Sequence, residues 1–576
     1  MNRAVYFIGF PIVLYCLVFI TGCIQNSPES FISVNLVGYD SYSSKQAFLV
    51  NAEAERFEVI RVEDENVAYS GPLQTTIELD SATGDQLTII DFSDFTIPGE
   101  YKIKTAGTPP VISHTFSIKK NPYDEALQTI LKSYYYHRCG TQVRGDQEWE
   151  YETCHLADAP FFDNSQQFKE VTGGWHDAGD YNKFSGNTAL SAGLLLYAYE
   201  HNPSIFGDNQ LQIPESGNGT PDILDEISWA MKWLLKMQRS DGAVYHKVSQ
   251  KRWIGEYLPN TDPSIRYIFG ISTAATASFT ASSALGSRIL ADFNPELAQR
   301  LSGAAKNAWE FLDRNPQNYP VNGFKNPEGV TGGEYGDPSD LDERLWAAIE
   351  LYKLTSDERY LNYFTRHYIE LDLYNIPPIS WRDANSLALN AFLSADIPDR
   401  FLGDRNRIET AVIRHADHIL DIQNLNRYKN LLHDSQYYWG SNSVGLAYAF
   451  DLIQAYNITG NFDYKNSALD QLHYVFGRNP FNLSQVTGVG TAAVKHPYHQ
   501  LSEVGSFSKP VPGMLVGGPN SHLLLNDKII SDYPGKSYED KFKNYLVNEP
   551  AINFTAILAY VTSVFSASEA PISKQT

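Results

Sequence analysis

Three stretches of this chain carry side chains that could perform acid–base chemistry. The first, residues 173–184, reads Gly-Gly-Trp-His-Asp-Ala-Gly-Asp-Tyr-Asn-Lys-Phe and sets Asp177 and Asp180 three residues apart across a flexible Ala-Gly. Two carboxylates held close can orient and deprotonate one water, although Asp beside Gly also builds Asx turns and helix caps. The second runs from Gly477-Arg478-Asn479-Pro480 through Thr487-Gly488-Val489-Gly490 to Pro497-Tyr498-His499-Gln500. Its glycines are too irregular for a phosphate loop, but Arg478 and His499 could hydrogen-bond a polar ligand. The third, residues 540–550, ends in Asn548-Glu549-Pro550 at the mouth of an apolar helix. A partly desolvated carboxyl there has a raised pKa and suits a general acid; a Glu favoured by the helix dipole would look the same.

Cys16 lies in an apolar leader and Cys23 at its end, so Cys139 and Cys154 are the cysteines left to the globular part. In an exported protein such a pair reads as a disulfide. His155 and His176 lie close by, and two thiolates with two imidazoles also meet the tetrahedral demand of structural zinc. Chemistry alone leaves both readings open.

These stretches need a scaffold. The chain has 576 residues, a net charge of −22, 43% hydrophobic and 13% aromatic side chains. That length implies more than one domain, and the apolar content excludes wholesale disorder. The acidity argues against nucleic acid as a partner. Acidic, aromatic-rich surfaces suit neutral sugars, whose faces stack on rings.

Residues 4–20 are apolar and follow Arg3; Ile20-Thr21-Gly22-Cys23 comes next. The run is marginal for a membrane span and is interrupted by Pro11; it suits a secretory signal, with an uncleaved anchor as the alternative. Its end resembles a bacterial lipobox, which implies that residues 1–23 are a signal and that Cys23 is lipidated and holds the protein to a membrane. Residues 24–30 form a polar tether. The rest is expected outside the cytoplasm, at the cell surface or the periplasmic face of an outer membrane.

Residues 31–119 alternate and are rich in β-branched residues between turn signals, as in Gln46–Val50 and Phe57–Val62. About seven such strands, among them Ile32–Val37 and His114–Ile118, predict a small all-β immunoglobulin-like sandwich. From 124 to 570 the period becomes helical. About twelve amphipathic patterns start near 124, 188, 221, 272, 296, 341, 357, 383, 405, 443, 463 and 549, with Thr220 as the expected cap of the third. An even number of helices with little strand signal fits an all-α toroid of two rings. The long loops 140–187, 239–270, 315–340 and 477–548 are where function is expected.

Taken together these motifs resemble glycoside hydrolase family 9. Trp175-His176-Asp177-Ala178-Gly179-Asp180 is similar to its first signature, the stretch from Gly477-Arg478 to Gly490 to its second, and Asp540…Tyr545…Asn548-Glu549 to its third. Asn35-Leu36-Val37-Gly38-Tyr39, with Lys45, resembles the N-terminal immunoglobulin-like module of one branch. The resemblance implies an (α/α)6 barrel that cleaves β-1,4-glucans with inversion and needs no organic cofactor. Asp180 would be the general base, Asp177 would help hold the water, and Glu549 would be the general acid. That branch implies structural zinc on Cys139, Cys154, His155 and His176. Calcium on Asp342, Glu343 and Asp383 is also implied, with a solvated helix start as the alternative. Arg478, His499, Trp439, Tyr545 and Trp381 are candidate sugar contacts. The sequence departs from the family at 498 and 500, where Tyr and Gln stand for the usual His and Arg. This widens the candidates to xyloglucan, mixed-linkage glucan and short oligosaccharides. An exo-acting glucosidase or glucosaminidase, or a glycan-binding lipoprotein without catalysis, are the alternatives.

Overall fold

The computed structural model describes residues 29–566, apart from 74–77, 146–147, 158, 506 and 526–527. Cys23, the expected signal segment and nearly all of the expected tether lie outside the described residues.

Nine strands form the N-terminal module: β1 (Phe31–Ser33), β2 (Tyr39–Asp40), β3 (Gln46–Val50), β4 (Arg56–Arg61), β5 (Val67–Pro72), β6 (Glu78–Leu79), β7 (Gln86–Asp91), β8 (Gly99–Thr105) and β9 (Phe116–Lys119). They make two sheets, ordered β1-β3-β7-β6 and β2-β9-β8-β4-β5. Strand β8 shows why: Tyr101, Ile103 and Thr105 point inward while Lys102 and Lys104 alternate outward. The expected strand Ile32–Val37 is cut at Ser33. Asn35 Oδ1 accepts the amides of Val37 and Gly38, an Asx turn that withdraws them from any ladder. Leu36, still buried, gives its N–H to Phe476 O of the second domain instead.

That domain is helical: α1 (Asp124–Tyr136), α2 (Ser185–His201), α3 (Asp222–Met237), α4 (Thr273–Leu290), α5 (Pro295–Arg314), α6 (Leu341–Thr355), α7 (Glu358–His367), α8 (Asn385–Leu393), α9 (Leu402–Leu425), α10 (Ser441–Thr459), α11 (Phe462–Val475), the short α12 (Gln500–Val504) and α13 (Tyr545–Asn548), and α14 (Ile552–Ser566). The twelve long helices start within three residues of the expected positions. Helices α2, α4, α6, α8, α10 and α14 are buried over most of their circumference and form the inner ring, which closes where α14 packs on α10 and α2. Helices α1, α3, α5, α7, α9 and α11 keep one wet face and form the outer ring; α5, for example, buries Leu297, Leu301, Ala305, Ala308 and Leu312. This is an (α/α)6 barrel. Thr220 does not cap α3. Asp222 instead accepts Leu211 N and Ser216 Oγ and fastens the preceding loop.

The loops expected to be functional gather over one end of the inner ring. A three-stranded patch built from residues 183–184, 247–250 and 266–268 braces them.

Candidate active site

Asp177, Asp180 and Glu549 come from opposite ends of the domain and line one cavity of about 960 Å³. Asp177 Oδ1 accepts Asn187 Nδ2 at 2.7 Å, and its Oδ2 accepts Tyr335 Oη at 2.8 Å. Asp180 is clamped by one residue: Asn182 N donates to Oδ1 at 2.9 Å and Asn182 Nδ2 to Oδ2 at 2.6 Å. Asn182 is itself fixed, because its Oδ1 accepts Gln250 N at 3.1 Å.

Burial sets the protonation states. It pushes the Asp177 carboxyl up to about 7, with Asp180's charge adding to the rise and the two hydrogen bonds opposing it. Burial also raises Asp180, but Asn182, Arg266 and Lys247 pull it back toward the ionised form. Glu549 is held well above the ordinary carboxylate range by burial first and by Asp180's charge second; only the Gly179 N–H favours its anion. The floor therefore carries two carboxyls that burial raises, and of the two only Asp180 has the Asn182 clamp and nearby cations to favour its anion, an asymmetry that suits a base and an acid.

Further along the cavity lie Trp381, Trp439, Tyr335 and Phe184. Tyr335 meets Phe184 and Trp381 at ring separations of 4.3 and 5.1 Å. Tyr545 packs on Trp439 at 5.6 Å at the rim. On the far side of the carboxylates Tyr498 stacks with Trp253 and Phe542, at 5.9 and 5.2 Å.

Two expected sugar contacts are elsewhere. His499 is 3% exposed; it turns away from the cavity to pack on His137 at 5.2 Å, with Ser502 Oγ on its Nδ1. Its neighbour Tyr498 faces the carboxylates instead, and their charges push its phenol upward after burial has done so. Arg478 is 1% exposed and bonds Asp470 at 2.7 Å beneath the Phe48 ring of the sandwich. It is a strut between domains. Gly477 and Gly490 of its loop serve the same seam: Gly477 has φ +118°, and a Cβ there would meet Leu36 Cδ1 at 2.4 Å.

One cluster brings metal ligands together. Cys139, Cys154, His155 and His176 offer ligand atoms all within 4.8 Å of one another, and both cysteines are free, so the disulfide alternative is not formed. His176 Nε2 is buried without a partner, and His155 Nε2 lies 3.5 Å from Asp262 Oδ2, the outer carboxylate that metal-bound imidazoles commonly have. His155 also holds an unusual φ of +51°. This donor set fits tetrahedral zinc.

Asp342, Glu343 and Asp383 gather with Asp337, which the sequence reading missed. Glu343 Oε2 and Asp337 Oδ2 are buried without partners. Burial and mutual repulsion raise Asp337 to about 7 and Asp383 to about 8. An all-oxygen set is the donor chemistry of a hard cation such as calcium, although among the described residues these oxygens do not converge as closely as the cysteine–histidine ligands do.

Tyr335, Asn182 and Asn187 also escaped the sequence reading as site residues. The long loop 315–340 was a signal for Tyr335; nothing in the sequence separates Asn182 or Asn187 from ordinary polar residues.

A two-ring helical barrel with an open, aromatic-walled cleft over three carboxylates defines a glycan-cleaving hydrolase. The sequence comparisons agree and are more specific. The chain belongs to glycosyl hydrolase family 9, whose family model matches residues 123–562, and the cellulase N-terminal ig-like domain matches residues 27–109. It is 33% identical over 545 residues to Endoglucanase D of Acetivibrio thermocellus, covering 93% of this chain and 83% of that one. It is 31% identical over 569 residues to a xyloglucan-specific endo-beta-1,4-glucanase of Bacteroides ovatus, covering 94% of both. The crystal structure of a metagenome-derived glycoside hydrolase family 9 endoglucanase superposes with a TM-score of 0.87 at 34% identity, covering 93% of this chain and 99% of that one. The protein is an endo-β-1,4-glucanase-like hydrolase of β-1,4-glucans.

Proposed function

We propose that the protein cleaves β-1,4-glucan chains by single displacement, with Asp180 as general base, Asp177 as the group that helps hold the water, and Glu549 as general acid. The observation that carries the assignment is that Asp180 and Glu549 line one cleft with unlike surroundings: Asn182 clamps Asp180 through two hydrogen bonds, while Glu549 stays held well above the ordinary carboxylate range by burial. Asp180 takes a proton from water, and the water oxygen attacks the anomeric carbon from one face. The glycosidic C–O bond breaks on the other face, and its oxygen takes the proton of Glu549. The product has the opposite anomeric configuration, and exchange with solvent resets both carboxyls. Asp177, raised to about 7 and bonded to Tyr335 and Asn187, holds the water's second direction.

Two finer assignments belong to the same reading. Cys139, Cys154, His155 and His176 hold a structural zinc that ties loop 139–176 to the base of the Asp177 turn. Asp337, Asp342, Glu343 and Asp383 hold calcium beside the cleft. Neither ion takes part in bond cleavage. Export with a lipid anchor at Cys23 is read from the leader alone; radiolabelled palmitate taken up by wild type and not by Cys23→Ser tests it.

The decisive experiment follows the anomeric proton by NMR during hydrolysis of neutral β-glucans, chitosan oligomers and cellobiose, with Asp180→Ala and Glu549→Ala in parallel. Initial appearance of the α-anomer from a β-glucan supports the assignment. First-formed β-anomer refutes inversion. Release of monomer alone favours exo action, cleavage of chitosan alone favours the glucosaminidase alternative, and binding without turnover favours a glycan-binding protein. Glu549→Ala is expected to lose about 100-fold or more on substrates with poor leaving groups.

A further inference from the structure

Three carboxyls crowd the floor of the cleft, and ionising any one of them disfavours the other two. Cations decide between them. The partners of Asp177 are the neutral Asn187 and Tyr335, and Glu549 has the Gly179 N–H. Asp180 alone of the three feels cationic side chains, those of Arg266 and Lys247. The Arg266 guanidinium lies 3.6 Å from Cys139 Sγ, so its charge is shared with the thiolates of the metal cluster. Lys247 remains.

Lys247 is fully buried. Its Nζ donates to Asn326 Oδ1 at 2.6 Å and to Gly333 O at 2.7 Å, both neutral acceptors. It is enclosed by the rings of Phe184, Phe269 and Phe324, with Nζ 4.8 to 5.5 Å from their centroids. Among the described residues, none of its bonds goes to a carboxylate. A buried ammonium held only by neutral groups is costly, and burial lowers its pKa to about 8, which still leaves it charged at neutral pH. The negative charges acting on it are those of Asp180 and Glu334. Glu334 is engaged by Lys325 and Asn326 N on the surface side. The strand register seats the cation: Lys247 pairs with Phe184, which lines the cleft, and three residues on, Gln250 N anchors Asn182, the clamp of Asp180.

We propose that Lys247 is a positioning residue for the hydrolysis, a fixed buried charge whose field selects Asp180, rather than Asp177 or Glu549, as the carboxyl that stands ionised beneath the substrate. The inference rests on the base assignment above. The other titratable groups facing Asp180 are Asp177 on its own loop, Tyr181, Tyr335 from loop 315–340, Tyr498, Glu549 and Arg266. Lys247 also faces His246, whose imidazole burial lowers to about 4, so that it is neutral above that pH and leaves the field unchanged.

The test is the pH dependence of kcat/KM on a neutral soluble β-glucan for Lys247→Met, Lys247→Arg and Asn326→Asp. Removing the cation disfavours the Asp180 anion, so the acid limb of Lys247→Met is expected to move up by about one unit. That is a loss of about 10-fold at pH values below the original limb and a smaller loss on the plateau. Lys247→Arg is expected to leave the limb in place. Asn326→Asp keeps the lysine but supplies a counter-charge, and is expected to move the limb in the same direction as Met. A Lys247→Met protein that loses activity equally at all pH values with its limb unmoved overturns the proposal. If that variant fails to fold, an unmoved limb in Asn326→Asp overturns it instead. An Asp180→Ala protein as active as wild type would overturn the base assignment without bearing on the charge of Lys247, so the two failures are distinguishable.

Discussion

Asn182→Ala probes the base more directly than any change to the base itself. The side-chain amide gives Asp180 Oδ2 its 2.6 Å hydrogen bond, while the backbone N–H to Oδ1 survives the substitution. A hydrogen bond to a charged group is worth about 1.5–3 kcal/mol, and 1.36 kcal/mol is one pKa unit. The lost donor favoured the anion, so the Asp180 pKa rises, and the acid limb of kcat/KM should move up by about one to two units. The substitution also frees Gln250 N, which now bonds Asn182 Oδ1. With the carboxylate able to swing, the plateau kcat is expected to fall by about 10- to 100-fold while KM changes little. Steady-state rates from about pH 4 to 9 on a neutral β-glucan give both numbers. An unmoved limb together with a kcat within twofold of wild type would mean that another group accepts the proton, and the assignment of Asp180 would fail.

Three other outcomes follow from the same geometry. Arg478→Met should lower stability by about 2–4 kcal/mol by stranding Asp470 and uncovering Phe48, with KM unchanged; a large rise in KM without loss of stability would return Arg478 to the sugar site. Cys154→Ala should lose bound zinc by elemental analysis and lower kcat by loosening loop 139–176; a wild-type metal content would clear Cys154 as a ligand. Asp337 and Asp383, at about 7 and about 8, lie above their unfolded values, so in chelated protein their contribution is complete below about pH 4 and is lost as pH rises through 7 to 8. Calcium should therefore raise the melting temperature more at pH 8 than at pH 5, and an equal effect at both would argue against these ligands.

What the sequence disclosed follows from what is periodic or chemically paired. Helical periodicity located the twelve long helices because each outer helix buries one stripe, while each inner helix is buried nearly throughout, small polar residues included. Asp177, Asp180 and Glu549 were legible because they stand in ordered signatures; taken singly, an Asp beside Gly or a Glu before a helix is as readily a turn or cap residue. Direction was not legible. In Tyr498-His499 the residue resembling a family ligand points into the core and its neighbour toward the cleft, and one residue of register decides which. Arg478 looked like a ligand because a Gly-rich loop with an Arg is how an open binding loop reads. Gly477 and Gly490 instead admit Leu36 of the other domain, a contact between residues more than four hundred apart. Asn182, Lys247 and Asp337 act through neighbours in space, and no local pattern marks them.

The backbone of Gly179 ties the separate strands of the mechanism together. Its N–H favours the Glu549 anion, and its carbonyl accepts Gln500 N at 2.8 Å. Asp177 O accepts Ile552 N at 2.9 Å, and Asn548 O accepts Tyr498 N at 2.8 Å. The base loop, the acid loop and the 498–500 segment thus form one hydrogen-bonded crossing, which explains how residues so distant in sequence keep a fixed gap. A Cβ at Gly179 would stand 2.1 Å from Tyr498 O and 2.8 Å from Tyr498 Cδ1. The first is backbone and has no rotamer to relieve it, so the crossing must open. Gly179→Ala should therefore fold, since the barrel's core is untouched, yet lose about 100-fold in kcat as base and acid drift from register. An activated aryl glycoside, which needs no general acid, should rescue Glu549→Ala but rescue Gly179→Ala only in part, because in the latter the base is displaced as well. Full rescue would show that the base loop holds its place without the crossing, and kcat within threefold of wild type would show that the gap is set elsewhere.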